Sequence, residues 1–177
     1  MKFLKGIIGA LLLVLILLPS TGECREDLET LLKNRSAVLW VEGQLLGDMM
    51  IGAKARLTFI AVDGKLTEAA WSDPSAPEWL KTNVGYSGDS KLRKKKLFII
   101  LVETIRNFTL ELPMISIGSH VLSAEDVLTN KHYVPVGDLP PDLTVPFAVA
   151  VPASAVKGKV IPLRVGDYSA ELEFSLR

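Results

Sequence analysis

The chain has 177 residues, 20 of them basic and 20 acidic, and 49% of it is hydrophobic. Balanced charge argues against a nucleic-acid binder or a protein steered electrostatically to membranes, since both carry a clear positive excess. One cysteine excludes an intrachain disulfide, so the fold must rest on a hydrophobic core.

The first stretch, MKFLKGIIGALLLVLILLPSTGEC, has the layout of a secretory signal peptide. Lys2 and Lys5 form the basic start, Ile7 to Leu18 the apolar run, and Pro19 to Gly22 the small-residue end. The run is short for a permanent membrane span. Cleavage after Gly22 would put Ser20 and Gly22 at the two small-residue positions a signal peptidase reads. The expected layout is a signal peptide over 1–22, a tether or short helix over 23–36, and a folded domain over 37–177. Losing Lys2 and Lys5 takes the basic count from 20 to 18 against 20 acidic, a weakly acidic mature form. Cys24 has two readings, a lipidated N-terminus or an unpaired thiol near the chain start. A lipoprotein carries an aliphatic residue three places before such a cysteine and a small one directly before it. Thr21 and Glu23 stand there instead, which favours plain export.

Arg25 to Lys33 spaces Leu28, Leu31 and Leu32 as a helix does. Ala37 to Leu45 reads as a first strand, broken at Gly47-Asp48. Ala53 to Val62 alternates cleanly, with Ala55, Leu57, Phe59 and Ala61 on one face. Asp63-Gly64 then predicts a tight turn and Lys65 to Trp71 a returning strand. From Ser72 to Ser90 the pattern dissolves into loop, except that Ser75, Pro77 and Glu78 can start one helical turn carrying Trp79 and Leu80. A loop of this length inside a domain is often functional. Its aromatics Trp71, Trp79 and Tyr86 therefore mark the expected contact surface, with Lys94 and Lys95 of the following cationic run beside them. The plainer alternatives are that the tryptophans lid a core and that the lysines guard a sticky strand from aggregation.

That strand is Leu97 to Val102, six apolar residues in a row, the pattern of a strand covered on both sides. Phe108, Leu110 and Leu112 alternate with polar residues after it. Met114 to Ile117 and Tyr133 to Val136 read as short strands, and Ser123 to Asp126 as a one-turn helix start. Leu139-Pro140-Pro141 is a stiff connector. Phe147, Val149 and Val151 form one stripe and Ile161, Leu163 and Val165 another, with Pro162 marking an edge or irregular strand. Gly166-Asp167 predicts a hairpin turn into Tyr168 to Leu176. Many short strands without long helices predict an all-β antiparallel sandwich.

From Lys96 to Leu176, LFIILVETIRN, FTLEL, LSAED, a lone Tyr133, Leu-Pro-Pro, Phe147 to Pro152 and a closing hairpin follow one another. This order resembles the telokin-like, immunoglobulin-like domains of bacterial secreted proteins and lipoproteins. The resemblance implies an immunoglobulin-like β-sandwich in or beyond the cell envelope, and it transfers no catalytic residue.

His120 and His132, with Glu125 and Asp126 between them, match no metal-ligand spacing. Gly85 to Ser90 lacks the second glycine of a serine-hydrolase elbow. No catalytic residue, metal or cofactor is expected, and no nucleic-acid partner. The favoured function is an exported, non-enzymatic domain that binds a protein or surface component of the envelope. The alternatives are a structural accessory lipidated at Cys24 and a small secreted hydrolase or metal binder.

Overall fold

A computed structural model describes residues 26–173; the leader and Cys24 lie outside the described residues. Helix α1 (Leu28–Asn34) starts at Asp27, whose carboxylate accepts the Thr30 N–H at 2.7 Å. Strands β1 (Ser36–Val41), β2 (Gln44–Leu46), β3 (Met49–Ile51) and β4 (Ala55–Val62) follow. Helices α2 (Gly64–Ser72) and α3 (Glu78–Val84) come next, then two 3-10 turns. The rest is β5 (Lys95–Thr104), β6 (Phe108–Leu110), β7 (Ile115–Ile117), β8 (His120–Val121), β9 (Gly137–Leu139), β10 (Thr144–Pro152), β11 (Val160–Val165) and β12 (Tyr168–Glu173).

Two antiparallel four-stranded sheets form a sandwich, in the orders β1-β4-β5-β10 and β12-β11-β7-β8. Between them pack Leu39, Leu57, Phe59, Phe98, Ile100, Phe147 and Val149 from the first sheet and Ile115, Ile117, Ile161, Leu163 and Leu172 from the second. Each such side chain contributes about 2 kcal/mol on leaving water. The first sheet is apolar on its other face too. There Ile60, Val62, Leu97, Ile99 and Ala148 meet Leu31 of α1, Leu66 and Ala70 of α2, and Leu80 and Val84 of α3. The Leu97–Val102 run thus divides between two cores. Leu101 belongs to neither and is half-buried on the outer face, because the helices cover only one half of that face.

This helical layer replaces the expected returning strand. Asp63 does not turn a hairpin. Its carboxylate accepts the Leu66 N–H at 2.9 Å, and α2 runs to Ser72. Leu66, Ala69 and Ala70 then share a buried stripe at helical spacing. A returning strand would also have had no partner, since β4 is already paired with β1 on one side and β5 on the other. The Ser72–Ser90 loop is likewise mostly helical, and the single turn expected at Trp79 extends over Glu78–Val84.

Smaller differences follow the same logic of hydrogen-bond partners. Tyr133 ends a 3-10 turn, and the strand begins only at Gly137. Ser123 does not start a helix; its N–H and hydroxyl donate to Asp126. Pro162 lies in β11, an interior strand. β11 pairs with β7 only over Leu163–Val165, so the proline falls just past the end of β7, where its carbonyl accepts the Gly118 N–H at 2.7 Å.

The two layers meet at Arg35 and Asp63. Arg35 is buried and donates from Nε and Nη2 to the two oxygens of Asp63 at 3.0 and 2.9 Å. Burial alone would raise the Asp63 pKa, but the Arg35 hydrogen bonds and charge, with the Leu66 N–H, hold it below the ordinary value. A lowered folded pKa adds stability that is present above the unfolded carboxylate value, about 3.9, and is lost as pH falls through the folded one. Asp63→Asn keeps a capping side chain but removes the countercharge that faces the buried guanidinium. We expect it to cost about 3 kcal/mol in urea denaturation at neutral pH and to flatten the loss of melting temperature below about pH 4. An unchanged acid limb would remove Asp63 from that role. The two-sided strand gives a second expectation, read by the same denaturation. Ile100→Ala should cost about 2–5 kcal/mol, and Leu101→Ala less than Ile100→Ala because its face is partly open.

Candidate interaction surface

Among the described residues, the largest cluster of exposed apolar side chains is on a β-hairpin that the strand pattern around Gly47-Asp48 did not reveal. After Val41 the chain leaves the sheet through Glu42 and Gly43, both with positive φ (58° and 94°), and returns through Gly52 (φ 81°). A Cβ on Gly43 would lie 3.0 Å from both the Ala53 nitrogen and the Met50 sulfur, so the kink needs glycine there. The sheet resumes where the Lys54 N–H donates to the Val41 carbonyl at 2.9 Å, and Glu42 pairs with Lys54 at 2.6 Å across the base.

Beyond this kink β2 and β3 pair only with each other, Gln44 opposite Ile51, Leu45 opposite Met50 and Leu46 opposite Met49. Leu46, Met49 and Ile51 therefore share one face of the ribbon, and Leu45 and Met50 the other. Leu45, Leu46, Met49 and Ile51 are 70%, 63%, 64% and 49% exposed. Both faces are apolar, and the outer backbone edges of the two strands carry no named partner strand. Surface of this kind normally marks an interaction site.

The open half of the first sheet lies at the root of this hairpin. Across it run two outward rows, Trp40–Arg56–Glu103–Thr144 and Val38–Thr58–Leu101–Pro146. Arg56 holds Glu103 through two hydrogen bonds of 2.6 and 2.7 Å, and its guanidinium carbon sits 5.7 Å from the centre of the Trp40 ring. The second row offers apolar surface beside this ion pair, and Val38 is exposed.

The residues singled out from the sequence lie at the other end of the sandwich, the aromatics on the helical layer and Lys94 and Lys95 at the start of β5. Trp71 is 60% exposed, and its ring passes close to Gly85, next in the chain to Tyr86. Trp79 and Tyr86 are half-buried against the helical core. Asn83 is buried among them and donates to the Trp79 carbonyl at 2.7 Å. Lys94 is exposed, whereas Lys95 reaches back to Asp126 at 3.1 Å. Trp71 is thus the most outward of the three aromatics, and Lys94 of the two lysines.

Of the residues weighed as metal ligands, His120 and Asp126 are brought together, and Ser123 and Lys95 join them. One oxygen of Asp126 accepts from Ser123 N and Oγ, each at 3.0 Å, and meets His120 Nε2 at 2.8 Å. Burial pushes its pKa up, but hydrogen bonds from His120, Lys95 and Ser123 outweigh that and hold it below the ordinary value. Ser123 and His120 both address the same carboxylate, so the serine hydroxyl is not aimed at the imidazole as nucleophilic catalysis requires. His132 is exposed on its own turn. Among the described residues no three His, Cys, Asp or Glu side chains cluster closely enough to hold a metal.

No family model, curated protein or solved structure matches this chain.

A signal for the hairpin was present. Two apolar runs, Leu45-Leu46 and Met49-Met50-Ile51, flank Gly47-Asp48, a dipeptide suited to a two-residue turn. Gly47 does adopt positive φ (60°). The helical corner yields a stability test. Trp79→Ala should cost about 1–3 kcal/mol in urea denaturation because part of the ring is packed, and Trp71→Ala about 0.5 kcal/mol or less. Equal costs would mean that Trp71 is as firmly built into the helical layer as Trp79.

Proposed function

We propose that this chain is an exported, non-enzymatic, immunoglobulin-like β-sandwich that binds a protein or surface component of the cell envelope through the β2–β3 hairpin. The observation that carries the reading is the hairpin itself, which exposes apolar side chains on both faces while contributing little to either core. Export is supported by the leader, and the immunoglobulin-like type by the resemblance over Lys96 to Leu176. The Trp71–Tyr86 corner with Lys94 is a second contact surface, favoured by the outward Trp71 ring. Lipidation at Cys24 would make the same module an anchored accessory. Strand β1 spans roughly 20 Å between α1 and the hairpin, so a hairpin on a module anchored near α1 would face away from the anchor.

The reading is tested by placing a photo-cross-linking amino acid at Met49 and, as a control, at exposed Arg164 on the outer face of the second sheet, in the protein exported by its own leader. We expect a discrete adduct in the envelope fraction from Met49 and none from Arg164. Absence of any adduct from Leu45, Leu46 and Met49 positions, with an unchanged melting temperature, would overturn it.

A further inference from the structure

We infer that the occupant of the hairpin is a second copy of this chain, each copy laying its β2–β3 ribbon on the open half of the other's first sheet. The inference rests on the hairpin being the docking element, and it adds what the hairpin docks to.

Three observations select this occupant. The first is charge. Asp48 stands at the hairpin tip, and of the cations at its root Lys54 is engaged by Glu42 and Arg56 by Glu103, with exposed Arg106 beside Lys54. A hairpin entering a bilayer tip first would drag a carboxylate into hydrocarbon, at a cost of about 3 kcal/mol for an aspartate at the bilayer centre, and one arginine at the root is far from the basic cluster that holds anionic headgroups. Protein surface imposes no such cost if the tip stays at the rim.

The second is complementarity. The same chain carries a protruding apolar ribbon and, at its root, an outward strip of Val38, Trp40, Leu101 and Pro146 that none of the described helices covers. Three ribbon residues and the turn reach roughly 13 Å, about the width of the strip across the four strands, three strand spacings or roughly 14 Å. Two chains meeting head to head about a twofold axis satisfy both features at once, because an isologous contact repeats each ribbon-to-sheet pairing.

The third is area. The face with Leu46, Met49 and Ile51 exposes on the order of 350 Å², short of the roughly 800 Å² that one side of a stable interface supplies. The open sheet strip adds about 200 Å², so two copies bury roughly 1,100 Å² in all, the size of a weak, concentration-dependent dimer. Neither surface suffices alone, and the reciprocal arrangement uses both.

Sedimentation velocity over a concentration series of the exported protein tests this directly. We expect a monomer–dimer equilibrium. Leu46→Asp/Met49→Asp on the ribbon and Val38→Asp on the strip should each raise the dissociation constant about tenfold or more, with far-UV circular dichroism and melting temperature unchanged. Mixing the two variants should partly restore association, since one of the two ribbon-to-strip contacts is then intact. A dimer indifferent to both substitutions would overturn the inference, as would partial restoration failing while each variant stays folded. A strict monomer whose Met49 cross-link captures a different protein would overturn it and leave the hairpin reading standing. A monomer whose ribbon-dependent binding is to phosphatidylethanolamine/phosphatidylglycerol vesicles would overturn it in favour of lipid.

Discussion

Arg35 and Asp63 join the parts of this fold that sequence distance separates. Arg35 ends α1, and its guanidinium also donates to the Leu31 carbonyl at 3.3 Å within that helix. Its own carbonyl accepts the Ala61 N–H at 2.8 Å, extending the β1–β4 ladder by one bond. Asp63 ends β4 and starts α2 with the same carboxylate that holds Arg35. One ion pair therefore fixes where α1 leaves the sheet and where α2 begins to cover it. Burying a guanidinium is costly, and an apolar pair of similar volume could be as stable. An apolar pair could not cap a helix. The charge pair is the arrangement that sets the direction of two helices at one point.

The covering is incomplete, and the sheet's outer face changes character where it stops. Under the helices its residues are Ile60, Val62, Leu97 and Ile99. One residue pair further along the same strands they become Thr58 and Leu101, and then Arg56 and Glu103. Period-two alternation makes these rows neighbours on one face. The apolar row left beside the Arg56–Glu103 pair is the boundary between a buried and a wetted sheet, and Leu101 sits on it. Six consecutive apolar residues thus serve three environments, a distinction that depends on the length of α2 and α3 and not on anything within β5.

Alternation was legible wherever one face was buried. Ala55 to Val62, Phe108 to Leu110, Phe147 to Val151 and Ile161 to Val165 all stand as strands in the described structure. What sequence patterns missed were choices decided by partners at a distance. Asp63-Gly64 suits a hairpin turn as well as a helix start, and Arg35, remote in sequence, decides for the helix. Pro162 reads as an edge residue until β7 ends one position short of it. Tyr133 to Val136 has β-forming residues, but Asn130 accepts the His132 N–H at 3.1 Å and tightens a 3-10 turn instead. Exposure is harder still to read, because Leu45 and Leu57 are the same residue type with opposite surroundings. The aromatics drew attention to the helical corner, whereas the largest apolar exposure is carried by leucine and methionine.

That exposure has no source in folding. The β1–β4 ladder closes at Val41 and Ala55, and of the intervening residues the described cores use only Ala53, which is buried at the base. A short polar turn would join the two strands with less risk, since an unpaired ribbon with apolar faces invites aggregation. The charges at the ribbon are Asp48 at its tip and the Glu42–Lys54 pair at its base, while Gly43 and Gly52 maintain the kink that lifts it clear of the sheet. Residues that add aggregation risk and little to the core, held in place by a backbone conformation that needs glycine, are the physical basis of the docking role proposed for the ribbon.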